Sequence, residues 1–237
     1  MTRSFFIDSR DRITGTPSNF TIQLKHTLNT TDRPHRMRVD HLRLPISIPT
    51  LTDQSNVLTV SVNGGSSFTS VEMPARQYDA ISFPQIIRDR LTAFLPSQTW
   101  TVGYDLNRIS LTISANGAFI LDDTGSLNKR LKQYPYVDGG TYYEFKYCPL
   151  NGADVIFLCS DQFSSVDNHG PAGSHDVLLP CNITAPFGSV QEFSSAIPAF
   201  VSCPPISTNT LSFQLRDRNH SLLTDYLQNI SFLLTIE

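Results

Sequence analysis

Charge is scarce in this chain. Asp, Glu, Lys and Arg make up 16% of its 237 residues, against roughly 25% in ordinary soluble domains, so its surface is cheap to desolvate and suits burial against other subunits. Lysine is rarer still, with 4 against 14 arginines, and the planar guanidinium suits interfacial contacts better than a strongly hydrated ammonium does. Long apolar runs are also missing. No stretch approaches the ~20 apolar residues of a spanning helix, and the opening Met1-Thr-Arg-Ser-Phe-Phe-Ile7 has no apolar signal-peptide core. The expectation is a protein without a membrane span and not exported by a secretory signal. The four cysteines, Cys148, Cys159, Cys181 and Cys203, form no C-x-x-C pair, which favours reduced core thiols over a disulfide framework. Without a secretory route, the sequons at Asn19, Asn29, Asn182, Asn219 and Asn229 read as chance products of a Ser/Thr/Asn-rich chain.

Catalytic signatures are absent as well. A strained G-x-S-x-G elbow for serine hydrolysis does not occur, nor does a phosphate cradle of the G-x-x-x-x-G-K-[ST] or G-x-G-x-x-G kind. The glycine pairs in Asn63-Gly-Gly65 and Asp138-Gly-Gly140 read as turns. A loose group of potential ligands, Cys159, Asp161, Asp167, His169, His175, Asp176 and Cys181, matches no established zinc spacing, and a solvated loop is the preferred reading. The pair Asp122-Asp123 ahead of Thr124-Gly125 reads as a cap or turn rather than as acid/base machinery. Tyr134, Tyr136, Tyr142, Tyr143, Phe145 and Tyr147 could stack sugars or bases, but core or subunit contact is the preferred role. No catalytic, cofactor-binding or metal residue is assigned, and no enzyme is expected.

What the chain has in quantity is alternation. Phe20, Ile22 and Leu24; Leu58, Val60 and Val62; Trp100, Val102 and Tyr104; and Ile109, Leu111 and Ile113 each recur at the strand period of two. The ending repeats the pattern: Leu211, Phe213 and Leu215, a polar turn at Asp217 to Ser221, then Ile230, Phe232, Leu234 and Ile236. Short strands separated by turns are the signature of a sandwich or barrel. Between His35 and Leu44 the apolar parity switches, from Met37 and Val39 to Leu42 and Leu44, which predicts a β-bulge near Asp40-His41. Asn63-Gly-Gly65 and Asn116-Gly117 favour positive φ, and Asp105 to Arg108 predicts a hairpin. One stretch has a helical period, Phe83, Ile86, Ile87, Leu91, Phe94 and Leu95, behind a Ser82 cap and an early Pro84; Gly125 to Gln133 is a second, shorter candidate. No linker or repeat appears, so the reading is a lead-in strand or arm over 1–18 and a single domain over 19–237.

The net charge is −3, which argues against a basic nucleic-acid binder. Residues 1–43 nevertheless carry seven Arg and one Lys against four Asp. A basic opening on an acidic body could touch nucleic acid or the acidic surface of a neighbour.

Three stretches resemble a known family. Phe5-Phe-Ile-Asp-Ser-Arg-Asp-Arg-Ile-Thr-Gly-Thr-Pro-Ser-Asn-Phe-Thr-Ile-Gln-Leu24 is similar to the opening of small viral capsid proteins. Asp154-Val-Ile-Phe-Leu-Cys159 with Ile183-Thr-Ala-Pro-Phe-Gly-Ser-Val190 resembles their strand and turn before the closing hairpin. Leu211-Ser-Phe-Gln-Leu-Arg-Asp-Arg-Asn219 with Ile230-Ser-Phe-Leu-Leu-Thr-Ile236 resembles their end, except that His220 stands where glycine often follows the Asn. The family is the single jelly-roll penton, or vertex, protein of virophages, polinton-like viruses and related large double-stranded DNA viruses.

The resemblance implies an all-β, eight-stranded antiparallel jelly roll of two facing four-stranded sheets, with one amphipathic helix near 82–95. It implies a structural capsid protein located in the virion, forming a homopentamer at the five-fold vertices among the major capsid protein capsomers, and it brings no cofactor. A fibre, a spike or an internal minor capsid protein would be a further partner. Within that picture Arg3, Arg10 and Arg12 are candidate assembly contacts. Two other readings compete: a non-vertex minor capsid or cement protein, and a cellular jelly-roll carbohydrate-binding module using the Tyr134 to Tyr147 cluster.

Overall fold

The computed structural model describes residues 2–150, 152–164, 170–194, 200–224, 226 and 228–237. In chain order the strands are β1 (Arg3–Asp8), β2 (Arg12–Thr16), β3 (Asn19–Asn29) and β4 (His35–Pro45); β5 (Val57–Ser61), β6 (Thr69–Glu72), β7 (Trp100–Asp105), β8 (Ser110–Ala115), β9 (Ile120–Leu121), β10 (Tyr136–Asp138) and β11 (Tyr142–Phe145); and β12 (Val155–Cys159), β13 (Val177–Asn182), β14 (Val190–Phe193), β15 (Val201–Cys203), β16 (Ser207–Arg216) and β17 (Ser231–Ile236). Two helices, α1 (Ser82–Phe94) and α2 (Ser126–Lys132), lie between them. The chain divides into two compact units: Met1–Ile48 with Ala153–Glu237, and Pro49–Gly152. The second unit is inserted in the chain between β4 and β12.

The first unit is a sandwich of two antiparallel sheets. One runs β1, β17, β4, β14, with β15 beside β4. Both β14 and β15 lie on the flank of β4 opposite β17, so this sheet is four positions wide. The other runs β13, β12, β16, β3, β2, where β2 adds a fifth strand to the expected four. Neighbours far apart in sequence, such as β1 with β17 and β3 with β16, are the mark of a jelly roll.

Alternation sets which side chains go inward. Leu211, Phe213 and Leu215 of β16 and Phe232 and Leu234 of β17 are fully buried in one core with Phe20, Ile22 and Met37. The Phe213 and Phe232 rings meet edge to face at 5.0 Å, a geometry worth about 0.5–1.5 kcal/mol beyond area burial. This contact also corrects the closing hairpin: β16 and β17 belong to different sheets and face each other across the core.

The parity switch in β4 has the expected cause. Against β17, Ser231 pairs with Arg43 while Leu233 pairs with Asp40, so His41 and Leu42 together oppose Phe232. His41 takes φ +50, and the bulge lets Met37, Val39, Leu42 and Leu44 all be buried.

The N-terminal segment is not a free arm. Arg3–Asp8 pairs along its whole length with β17, a short 3-10 turn follows at Ser9–Asp11, and Arg12–Thr16 pairs with β3 in the other sheet. Residues 3–16 thus form an outer strand of each sheet.

The second unit has its own core, including Leu58, Val60, Phe83, Ile87, Leu91, Trp100, Leu111, Ile113 and Tyr143. It holds a sheet of β10, β11, β8 and β7 and a sheet of β6, β5 and β9. Helix α1 buries Phe83, Pro84, Ile87 and Leu91, most of the face its period implies, while Phe94 on that face stays 48% exposed. Its cap differs from expectation: Ser82 is already inside the helix, and Asp79 Oδ1 accepts from the Ile81 and Ser82 amides at 3.0 and 2.7 Å. These bonds, the Ser82 amide foremost, lower the Asp79 pKa. At the other hairpins, Gly64 and Gly65 take positive φ, whereas Gly117 does not.

Candidate assembly surface and a buried polar cluster

The corner between β1 and β2 is where the candidate arginines diverge. Asp8 caps the 3-10 turn by accepting from the Arg10 amide at 2.9 Å. Its carboxylate also takes the Arg10 guanidinium, Nε at 3.0 Å and Nη2 at 2.5 Å. The side-chain bond from Arg10 is the main reason the buried Asp8 carboxyl titrates below its ordinary range. Arg10 itself remains 72% exposed. Arg12 turns inward, its Nη1 donating to the Ser9 carbonyl at 2.7 Å and to Asn229 Oδ1 at 3.1 Å. Ser9 completes the latch: its amide donates to the Ile230 carbonyl and its hydroxyl accepts from the Ile230 amide, both at 2.9 Å. Arg12 is therefore committed to holding the corner against the lead-in to β17.

Arg3 is exposed and lines a cleft with Asn29, Thr30, Asp32, Arg33, His35 and Ile236. His35 Nε2 lies 3.0 Å from Asp32 Oδ1, and this contact lowers the Asp32 pKa. The cleft thus gathers two arginines, Arg3 and Arg33, beside one bound carboxylate. Arg33 and His35 were not candidates; their only signal is the run Thr31-Asp-Arg-Pro-His35 between two strands. On the same β1 and β2 strands, Phe6 is 69% and Ile13 55% exposed. The N-terminal corner therefore presents apolar and cationic side chains side by side.

The tyrosine cluster lies in the second unit and splits in two. Tyr143 and Phe145 are core residues, their rings 6.1 Å apart and 15° from parallel, and burial pushes the Tyr143 phenol up to about 12. Tyr136, Tyr142 and Tyr147 remain exposed. Asp122 and Asp123 sit at a turn: Asp122 accepts from the Asp123 amide at 2.8 Å and from the Thr124 hydroxyl, and Asp123 pairs with Lys132 at 2.6 Å.

A third arrangement lies in the first unit. Cys159 pairs with Gln214, and Phe157 with Arg216. Directly paired residues share a face, so Cys159 stands opposite the core face that holds Leu158 and Leu215. It is nonetheless fully buried. Two polar side chains close over it, Asp176 from just before β13 and His220 from the turn after β16. The Cys159 sulfur, an Asp176 oxygen and a His220 ring nitrogen all lie within 4.8 Å of one another.

Of the loose ligand group read from sequence, Cys159 and Asp176 come together here. Cys181 is part of the apolar core, Asp161 is exposed, and Asp167 and His169 lie outside the described residues. Asp176 is buried, not part of a solvated loop. The turn holding His220 is pinned by Asp217 Oδ1, which accepts from the Asn219 and Ser221 amides, and His220 takes φ +63, the conformation that glycine favours. Burial first, then the Asp176 charge, pushes the Cys159 thiol up to about 12. Such a thiol is the reverse of an activated nucleophile, so these residues do not read as a catalytic triad. All four cysteines are buried and free of disulfides.

No family model matches this chain, and no curated protein does. Solved structures do. A crystal structure of the mavirus penton protein superposes with a TM-score of 0.56 at 13% identity, covering 100% of this chain and 98% of that one. A cryo-EM structure of the Sputnik virophage gives a TM-score of 0.46 at 13% identity, covering 99% and 97%. At such identity the likeness to the first is one of fold, and it runs through the whole length of both chains: this protein is built on the jelly-roll fold of the mavirus penton protein.

Proposed function

We propose that this chain is a structural capsid protein that forms a ring of five at the vertices of an icosahedral shell. The observation that carries this reading is the end-to-end likeness of fold to a penton protein. The surface supports it. A closed ring needs two different patches on each subunit that meet after a fixed rotation. The N-terminal corner, with Arg3, Phe6 and Ile13 on the outer strands and Arg10 on the turn between them, is the natural candidate for one of them. Arg12 serves folding rather than assembly. A non-catalytic role in the virion, beside major capsomers, belongs to the same proposal.

The test is the mass of the purified assembly by native mass spectrometry, together with its position in a particle by cryo-EM. Five copies of the 26.5 kDa chain and density at the five-fold axes are expected. Trimers or monomers, or density elsewhere in the shell, would overturn the vertex assignment in favour of a minor capsid role.

A further inference from the structure

We propose that Cys159, Asp176 and His220 form a structural zinc site that staples the turn between β16 and β17 to the outer face of the sheet.

The argument begins with what the cluster leaves unmet. Asp176 Oδ1 and His220 Nδ1 are both buried without a hydrogen-bond partner. Buried polar groups are nearly always paired, and an orphaned carboxylate oxygen is among the costlier exceptions. The close polar neighbour of Asp176 Oδ1 is His220 Nε2 at 3.1 Å, an ion pair when the ring is protonated but with no hydrogen bond between them. A cation between these groups satisfies the oxygen and the sulfur together.

The donor set selects the ion. One sulfur, one imidazole nitrogen and one carboxylate oxygen are the ligands zinc takes, whereas calcium and magnesium take oxygen alone. Tetrahedral zinc ligands at 2.0–2.3 Å stand roughly 3.3–3.8 Å apart, so atoms already within 4.8 Å need only a small closure. The fourth position falls to a small oxygen ligand such as water. Arg216 does not occupy the site. Its Nε and Nη2 are held by Gln214 Oε1 at 2.9 and 2.5 Å and its Nη1 by the His220 carbonyl at 2.8 Å. It stands 3.8 Å from the other carboxylate oxygen, Oδ2.

The three ligands come from segments that the fold places separately. Cys159 ends β12, Asp176 precedes β13 and is tied to Ser160 through the Ser160 amide at 2.9 Å, and His220 comes from a turn 44 residues further on. A metal here joins the end of β12 to two loops at one end of the sheet, the role of a staple rather than a catalyst.

Full-length protein kept reduced and titrated with Co²⁺ alone tests the site. One equivalent should bind and produce a thiolate-to-cobalt charge-transfer band with tetrahedral visible bands, and Zn²⁺ should displace it and raise the melting temperature. Cys159→Ser should abolish the charge-transfer band. His220→Gly removes a ligand while suiting the backbone at φ +63, so it should fold yet bind at least roughly 100-fold more weakly, beyond the 10–100-fold cost of losing an outer-shell partner. A folded wild-type protein that binds no stoichiometric metal overturns the proposal. A charge-transfer band that persists in Cys159→Ser, or unchanged affinity in His220→Gly, overturns it equally.

Discussion

At the scale of single residues, backbone conformation decides more than side-chain preference. His41 is exposed and sits within a strand, where β-branched residues usually help. Because its φ is +50, His41→Val should instead destabilise the first unit by about 1–2 kcal/mol, measured by urea unfolding; a stabilised variant would mean that the bulge had slipped. Asp8 gives a second test. Its folded pKa lies below the unfolded value, so its contribution is present above roughly pH 4 and is lost as pH falls through the folded pKa. Its partner is mostly solvated, so solvent screens the pair and keeps its contribution small. Asp8→Asn should be less stable than wild type at pH 7, and the gap should narrow progressively as the pH is lowered below about 4; a gap that does not change with pH would point to something other than charge. The bulge was legible in the sequence because burial forces a parity switch onto β4. The gathering of His220 with Cys159 and Asp176 was not, because spacing along a chain says nothing about which turn folds over which sheet face.

Elements of this molecule are held by what crosses between sheets. Leu211, Phe213 and Leu215 were readable as one face of a strand, and so were Phe232 and Leu234. That the two strands lie in opposite sheets was not readable, since alternation is the same in a hairpin and in a sandwich. The Phe213–Phe232 contact makes the distinction physical. Phe213→Ala should cost about 3–5 kcal/mol, as ring-to-alanine changes in cores do, in calorimetric unfolding of the first unit. A loss below 1 kcal/mol would mean that the core closes over the gap. Helix α1 shows the complementary lesson. Its period was clear from Phe83 to Leu95, but Ser82 does not cap it: the cap position is Ile81, with no side-chain cap bond, and Asp79 holds the Ile81 and Ser82 amides just ahead of the helix.

For the whole molecule, the feature the sequence reading did not mark is the second unit. Nothing in composition marks its boundaries near Pro49 and Gly152: alternating strands continue through it and no polar linker announces it. Its separate core predicts that residues 49–152, expressed alone, give a dispersed NMR spectrum and unfold cooperatively. A collapsed, poorly dispersed fragment would show that this core needs the rest of the chain. The first unit has the opposite character, because Ser4 and Thr235, 231 positions apart, touch through their hydroxyls. Contacts of such sequence separation are slow to form. On a ribosome, then, the inserted unit can reach its final shape while the sandwich around it is still waiting for β17. During that interval the chain carries unpaired strand edges, and a neighbour's strand could be captured in place of its own.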